Sequence, residues 1–199
     1  MELRSQAGAA TGGERRIVLL QGPVGPFFSR LQEALDAKGW KTIKINFNSG
    51  DQGFQGRGAH ISFSGGASEW QQWFEGILES FRPSAVLLFG DQRPIHVTAR
   101  RVAEQRDVKV VCFEEGYIRP DYITMELGGN NANSSIRDRE IDQTNQVAPK
   151  PEKAIQSYGF SSMARYATRY FMTLQLDWLQ FPYYQHHRQR GIYKEAILW

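Results

Sequence analysis

Three short apolar runs constrain this chain more than any other feature. They are RRIVLLQG (15–22), SAVLLFGD (84–91) and VKVVCFEEG (108–116). Each is short, continuous and rich in β-formers, and each gives way to glycine and polar residues. That pattern predicts strands buried on both faces. Helical patterns fall between them. FFSRLQEALDAKG (27–39) places Phe27, Leu31, Ala34 and Leu35 at helical spacing and stops at Gly39. SEWQQWFEGILESF (68–81) sets Trp70, Trp73, Phe74, Ile77, Leu78 and Phe81 on one face, with Ser68 as the expected N-cap. Such an aromatic stripe reads as core. PIHVTARRVAEQRD (94–107) opens on Pro94, a residue suited to a first helical turn. WKTIKINFN (40–48) alternates like a strand with one wet face, SGDQGFQGRG reads as a loop, and HISFSG as a short edge strand.

Strands alternating with helices predict an α/β fold, a Rossmann-like doubly wound parallel sheet covered on both faces. The expected organisation is a flexible leader over 1–15 and the α/β domain over 16–127. A polar loop follows over 128–156, then an aromatic and basic helical segment over 157–199. In that last segment Met163, Tyr166, Tyr170, Phe171, Leu174 and Trp178 are expected on one helix face, beside Arg165 and Arg169. The final YKEAILW looks like the opening of a further helix, so a chain that is part of a longer product is expected.

Composition bounds the rest. With 41% hydrophobic and 23% charged residues among 199, the chain supports one sizeable core and is not of the disordered class. A net charge of +3 gives no case for a nucleic-acid partner. The one cysteine, Cys112, excludes an internal disulfide and reads as a small strand residue. No apolar run approaches the roughly 20 residues of a membrane span. The expected setting is the cytoplasm, or the surface of a membrane facing it.

In doubly wound sheets ligands bind beyond the carboxyl ends of the strands. Here those ends read QGPVGP, NFNSGD, FGDQRP and FEEGYIRP. They nominate Gln21, Gly22 and Gly25 as a loop for backbone contact, with Asn48 at the second end. FGDQRPIH brings Asp91, Arg93 and His96 within six residues; the plain alternatives are an Asp91–Arg93 pair and a packing histidine. FEEGYIRPDY supplies Glu114, Glu115, Arg119 and Asp121, a set suited to an anionic, polyhydroxylated ligand. A Walker loop and a G-x-G-x-x-G fingerprint are both absent, which weakens a dinucleotide reading. His186 and His187 are adjacent, a weak arrangement for a metal site.

LLQGPVGPFFSRLQEAL, KINFNSGD, LFGDQRPIH, FEEGYIRPDYITMELGGNNANS and PYYQHHR together resemble the KpsS/LipB-type capsule polysaccharide biosynthesis and export proteins. The resemblance runs in order from about residue 17 to the end. It implies the N-terminal half of a GT-B-like, retaining β-Kdo glycosyltransferase, with CMP-Kdo as donor and a phosphatidylglycerol-type lipid as acceptor. It also implies work at the inner-membrane surface beside other capsule assembly proteins, and it calls for no resident cofactor and no metal. Members are longer, and the second Rossmann-like domain expected to hold most CMP contacts lies outside these residues. On this resemblance Glu115 aligns with the acidic position of a related E-D/E-G-F/Y motif and is the expected nucleophile. Asp91 is the alternative, or the acid/base partner, and Arg119 would hold the sugar or phosphate anion. A non-catalytic component that binds lipid-linked glycan is the rival reading. An epimerase is a third, weakened by the missing glycine fingerprint.

The last segment suggests a membrane surface. Over 157–199, five basic residues (Arg165, Arg169, Arg188, Arg190, Lys194) stand against Asp177 and Glu195, interleaved with tyrosine and tryptophan. Packing of the same aromatics on the first domain explains them equally well.

Overall fold

The computed structural model describes residues 15–116, 122–134 and 160–185. Six strands form one sheet: β1 (Arg16–Leu19), β2 (Lys41–Asn46), β3 (His60–Ser62), β4 (Ala85–Phe89), β5 (Lys109–Glu115) and β6 (Ile123–Leu127). Their order is β3-β2-β1-β4-β5-β6. The first five are mutually parallel, and β6 pairs antiparallel with β5, Phe113 opposite Met125. This is the doubly wound, Rossmann-like arrangement the strand–helix alternation predicts.

One face carries α1 (Phe27–Asp36) over Ile17, Leu19, Leu87, Phe89 and Phe113. Its Phe27 and Phe28 rings both meet Phe113 edge-on at 5.8 Å. The other face carries α3 (Ala67–Phe81) and α4 (Pro94–Glu104) over Val18, Leu20, Ile45, Val86, Leu88 and Cys112. There the Trp70 ring stacks on Phe74 at 5.0 Å, and its Nε1 donates to Ile95 O at 2.8 Å. The aromatic stripe of α3 is core, each buried ring contributing about 1.5–3 kcal/mol.

Several local expectations are corrected. The segment after β2 is not all loop, since α2 (Ser49–Gly53) forms there. Asn48 caps it by accepting from Asp51 N at 2.8 Å. The cap of α3 is Gly66 rather than Ser68; Glu69 reaches back and accepts from Gly66 N at 2.8 Å. β2 has no wet face at its C-terminal half, where Lys44, Ile45 and Asn46 are all buried. It lies inside the sheet between β1 and β3. β6 is an element that periodicity does not announce. Its outward Ile123, Met125 and Leu127 are exposed while Glu126 is buried, the reverse of a normal alternation. The polar stretch from 128 begins with a 3-10 turn over Asn131–Asn133, flanked by buried Asn130 and Ser134. The single helix face expected from Met163 to Trp178 is divided between two helices, α5 (Phe160–Leu174) and α6 (Asp177–Gln180). Along α5, Tyr170 is buried while Met163 is exposed, and Trp178 of α6 is 72% exposed.

Candidate functional site

β1 and β4 are the adjacent strands whose crossovers lead to opposite halves of the sheet, so the crevice lies beyond their carboxyl ends. Residues 20–26 follow β1, and residues 90–93 follow β4. Three of the expected residues meet across it. Arg93 Nη1 donates to Gln21 Oε1 at 3.0 Å and to Gly22 O at 3.1 Å. Gly90 adopts a positive φ of 76°, and a methyl group there would lie 3.5 Å from Glu114 Oε2 and 3.7 Å from Arg93 Nε. A carboxylate and a guanidinium therefore stand over this glycine. Glu115, the next residue on β5, points to the opposite face by strand alternation and is exposed.

Asp91 does not pair with Arg93. It is 1% exposed, and its Oδ2 accepts from Asn133 Nδ2 at 2.8 Å, Asn130 N at 3.2 Å and Arg100 Nη1 at 3.4 Å. Gln92 Nε2 donates to its other oxygen at 3.1 Å. Asp91 thus ties the end of β4 to the segment after β6. His96 is fully buried on α4, its Nδ1 2.6 Å from Gly90 O, so it fixes the glycine turn from behind. Gly25 packs against Tyr166, and Gly22 against Phe28. Arg119, Asp121, His186 and His187 lie outside the described residues.

A buried polar cluster beside the crevice was not anticipated. Asp51 Oδ2 accepts from Gln21 Nε2 at 3.0 Å and Phe47 N at 3.1 Å. Lys44 Nζ donates to Asn46 Oδ1 at 2.8 Å and Asp51 O at 2.9 Å. Two tyrosines from the far end of the chain close it. Asn48 Nδ2 donates to Tyr170 OH at 3.0 Å, and Gln21 Nε2 to Tyr184 OH at 3.1 Å. α5 itself lies along α2, and Asp177 at the start of α6 accepts through Oδ1 from Ser49 N at 2.7 Å. Burial dominates the electrostatics. It raises the Asp51 carboxyl above the ordinary carboxylate range, against the pull of Lys44, and lowers the Lys44 ammonium. It lowers the Arg93 guanidinium, which Asp51 then supports most strongly among its neighbours. Burial also raises both tyrosines. The sequence signal for this cluster was slight: Asn48 and Asp51 stand at capping distance, but their tyrosine partners are far away in the chain.

Chemically, the arrangement sets one guanidinium and two strand-end carboxylates at the carboxyl edge of the sheet. Among the described residues no group of three or more His, Cys, Asp and Glu side chains forms a metal cluster.

A family model described as capsule polysaccharide biosynthesis protein matches residues 84–199. The chain is 33% identical over 190 residues to the capsule polysaccharide export protein KpsS of Escherichia coli, covering 93% of this chain and 48% of that protein. It is 39% identical over 179 residues to the capsule polysaccharide modification protein LipB of Neisseria meningitidis serogroup A, covering 86% and 43%. The chain therefore spans about half the length of these relatives. A solved UDP-GlcNAc 2-epimerase from Methanocaldococcus jannaschii is similar at 18% identity with a TM-score of 0.40, over 54% of this chain and 32% of that one.

Proposed function

This chain belongs to the capsule polysaccharide biosynthesis protein family, and from that premise we propose that the full protein transfers Kdo from CMP-Kdo to a phosphatidylglycerol-type lipid at the inner membrane. The observation that carries the reading is the placement of the Arg93 guanidinium and the Glu114 carboxylate over Gly90, next to Glu115, at the switch point of the sheet. Kdo and its nucleotide are both anionic, and a guanidinium at that edge suits them.

Retention of configuration needs a carboxylate that reaches the anomeric carbon. Glu115 is exposed at the strand end and takes that role. Its oxygen bonds to the anomeric carbon as the bond to the phosphate oxygen breaks, and CMP leaves with the electron pair. The acceptor hydroxyl then attacks the same carbon, freeing Glu115 and losing its proton to a neighbouring carboxylate. We assign the proton to a carboxylate other than Asp91, which is already held by four donors.

An anionic lipid acceptor is met at a membrane surface. No helix among the described residues is long and apolar enough to cross a membrane. Met172, Leu176, Trp178, Leu179 and Tyr183 are all more than half exposed, on a segment that also carries Arg165. That combination suits peripheral binding to an anionic leaflet, at roughly 1 kcal/mol per basic residue.

The test is transfer by the full-length protein from CMP-Kdo to a lysophosphatidylglycerol acceptor. Glu115→Gln is expected to abolish transfer while leaving the fold intact. Near-normal turnover in that variant removes Glu115 from the role. No transfer by the wild-type protein, with retained binding of lipid-linked glycan, moves the assignment to a non-catalytic assembly component.

A further inference from the structure

We propose that Asp51 is a positioning residue that aims Arg93 through the carboxamide of Gln21. The inference rests on the reading of Arg93 as the anion contact. It deepens that reading by identifying what holds the guanidinium in place.

A glutamine side chain has one donating end and one accepting end, nearly equal in shape. Left alone, it has no fixed orientation. In this site Nε2 of Gln21 points at Asp51 Oδ2, 3.0 Å away. A carboxylate oxygen only accepts, so the donor end must face it. The carbonyl end is thereby turned toward Arg93 Nη1, 3.0 Å away. Flipped, Gln21 would set its oxygen against Asp51 and its NH2 against the guanidinium, losing both bonds. Asp51 is itself held by Phe47 N and stands at the start of α2, so the chain of contacts begins on rigid backbone. Tyr184 OH accepts from the same Nε2 and adds to the preference.

The consequence falls on Arg93. Among the described residues both of its hydrogen bonds are made by Nη1, to Gln21 Oε1 and Gly22 O. This fixes the plane of the guanidinium and leaves its Nε and Nη2 edge to meet an anion. A preset fork loses less freedom on binding than a loose one.

The test separates orientation from charge and from stability. In the full-length protein, Asp51→Leu removes the acceptor at similar size, and Asp51→Asn keeps an acceptor while removing the charge. Asp51→Leu is expected to raise KM for CMP-Kdo about tenfold with kcat nearly unchanged. Asp51→Asn is expected to restore the wild-type value to within about twofold. In a Gln21→Ala background the Asp51→Leu effect should vanish, because its route to Arg93 is gone. A second readout needs no transfer activity. The NMR signals of the Arg93 guanidinium should show hindered rotation in the wild type, and faster averaging in Asp51→Leu. Gln21→Met, which spares the Asp51–Phe47 bond, should give the same averaging if Asp51→Leu does not fold. Unchanged Arg93 signals in the folded variant overturn the proposal whatever the reaction is. So does an Asn variant as impaired as Leu, or a Leu effect that persists without Gln21. Absence of transfer in the wild type, with the Arg93 signals responding as expected, instead overturns only the assignment of the reaction.

Discussion

Asn48 donates through Nδ2 to the hydroxyl of Tyr170, 3.0 Å away in space and 122 residues along the chain. The Tyr170 ring lies directly on Gly50, where an added methyl would come within 2.4 Å of Cε2. α5 is therefore seated on α2 by one bond and one close contact. Tyr170→Phe should cost about 1 kcal/mol, the loss of one net hydrogen bond. Tyr170→Ala should cost about 3–5 kcal/mol, through the cavity left behind. Urea denaturation of the two variants checks the ratio, and equal losses would show that the ring does not pack as described.

Asp91 predicts a stability phenotype. Replacing it with Ala strands the partly buried Arg100 and frees Asn130 and Asn133, so a loss of about 3–5 kcal/mol is expected. Asp91→Asn should lose less, since its carbonyl still accepts. Thermal unfolding compares them. A folded, stable Asp91→Ala protein that lacks transfer would instead return Asp91 to the chemistry.

The alkaline limb of stability follows from burial. Burial pushes the Cys112 thiol from 9.0 up to about 12. A raised thiol in the folded state contributes stability that is present below about pH 9 and is lost as pH climbs toward 12. Tyr170 and Tyr184 act in the same direction. The urea midpoint should therefore fall between about pH 8 and about pH 10.5, and fall less in Cys112→Ala. An equal slope in both proteins would remove the thiol from the account.

Binding to phosphatidylglycerol vesicles should be peripheral and salt-sensitive. Changing Trp178 and Leu179 to Ser removes exposed apolar surface and should weaken co-sedimentation at any salt. Changing Arg188 and Arg190 to Ser should weaken it mainly at low salt. Equal binding to neutral vesicles, or no loss in either variant, leaves only the packing role for this segment.

The strands of the sheet interior were legible because burial on both faces leaves an unbroken apolar run, as in AVLLF of β4. β6 was not, because its apolar side chains face outward and its buried position holds Glu126. Nor was α2. SGDQG is a poor helix former with two glycines, and it is held by the Asn48 cap and the Tyr170 ring. The crevice residues Gln21 and Arg93 could be nominated from strand ends, since topology alone brings those ends to one edge. Lys44 and Asp51 could not. A lysine in an alternating strand reads as solvated, and an aspartate after glycine reads as a turn. What buries them includes the covering segment near residues 170 and 184, and no local pattern reports a contact that distant.

The seat of α5 on α2 sets where this protein can be cut. An expression boundary before residue 160 looks safe by composition, because it falls after a long polar stretch. It would strip the hydroxyl partners from Asn48 and Gln21, bare the Gly50 surface, and open the Asp51 cluster to water. A fragment ending there would carry the sheet but a rehydrated crevice, with Gln21 missing one of its three contacts. Binding data from such a fragment would describe a different site from the one in the intact chain.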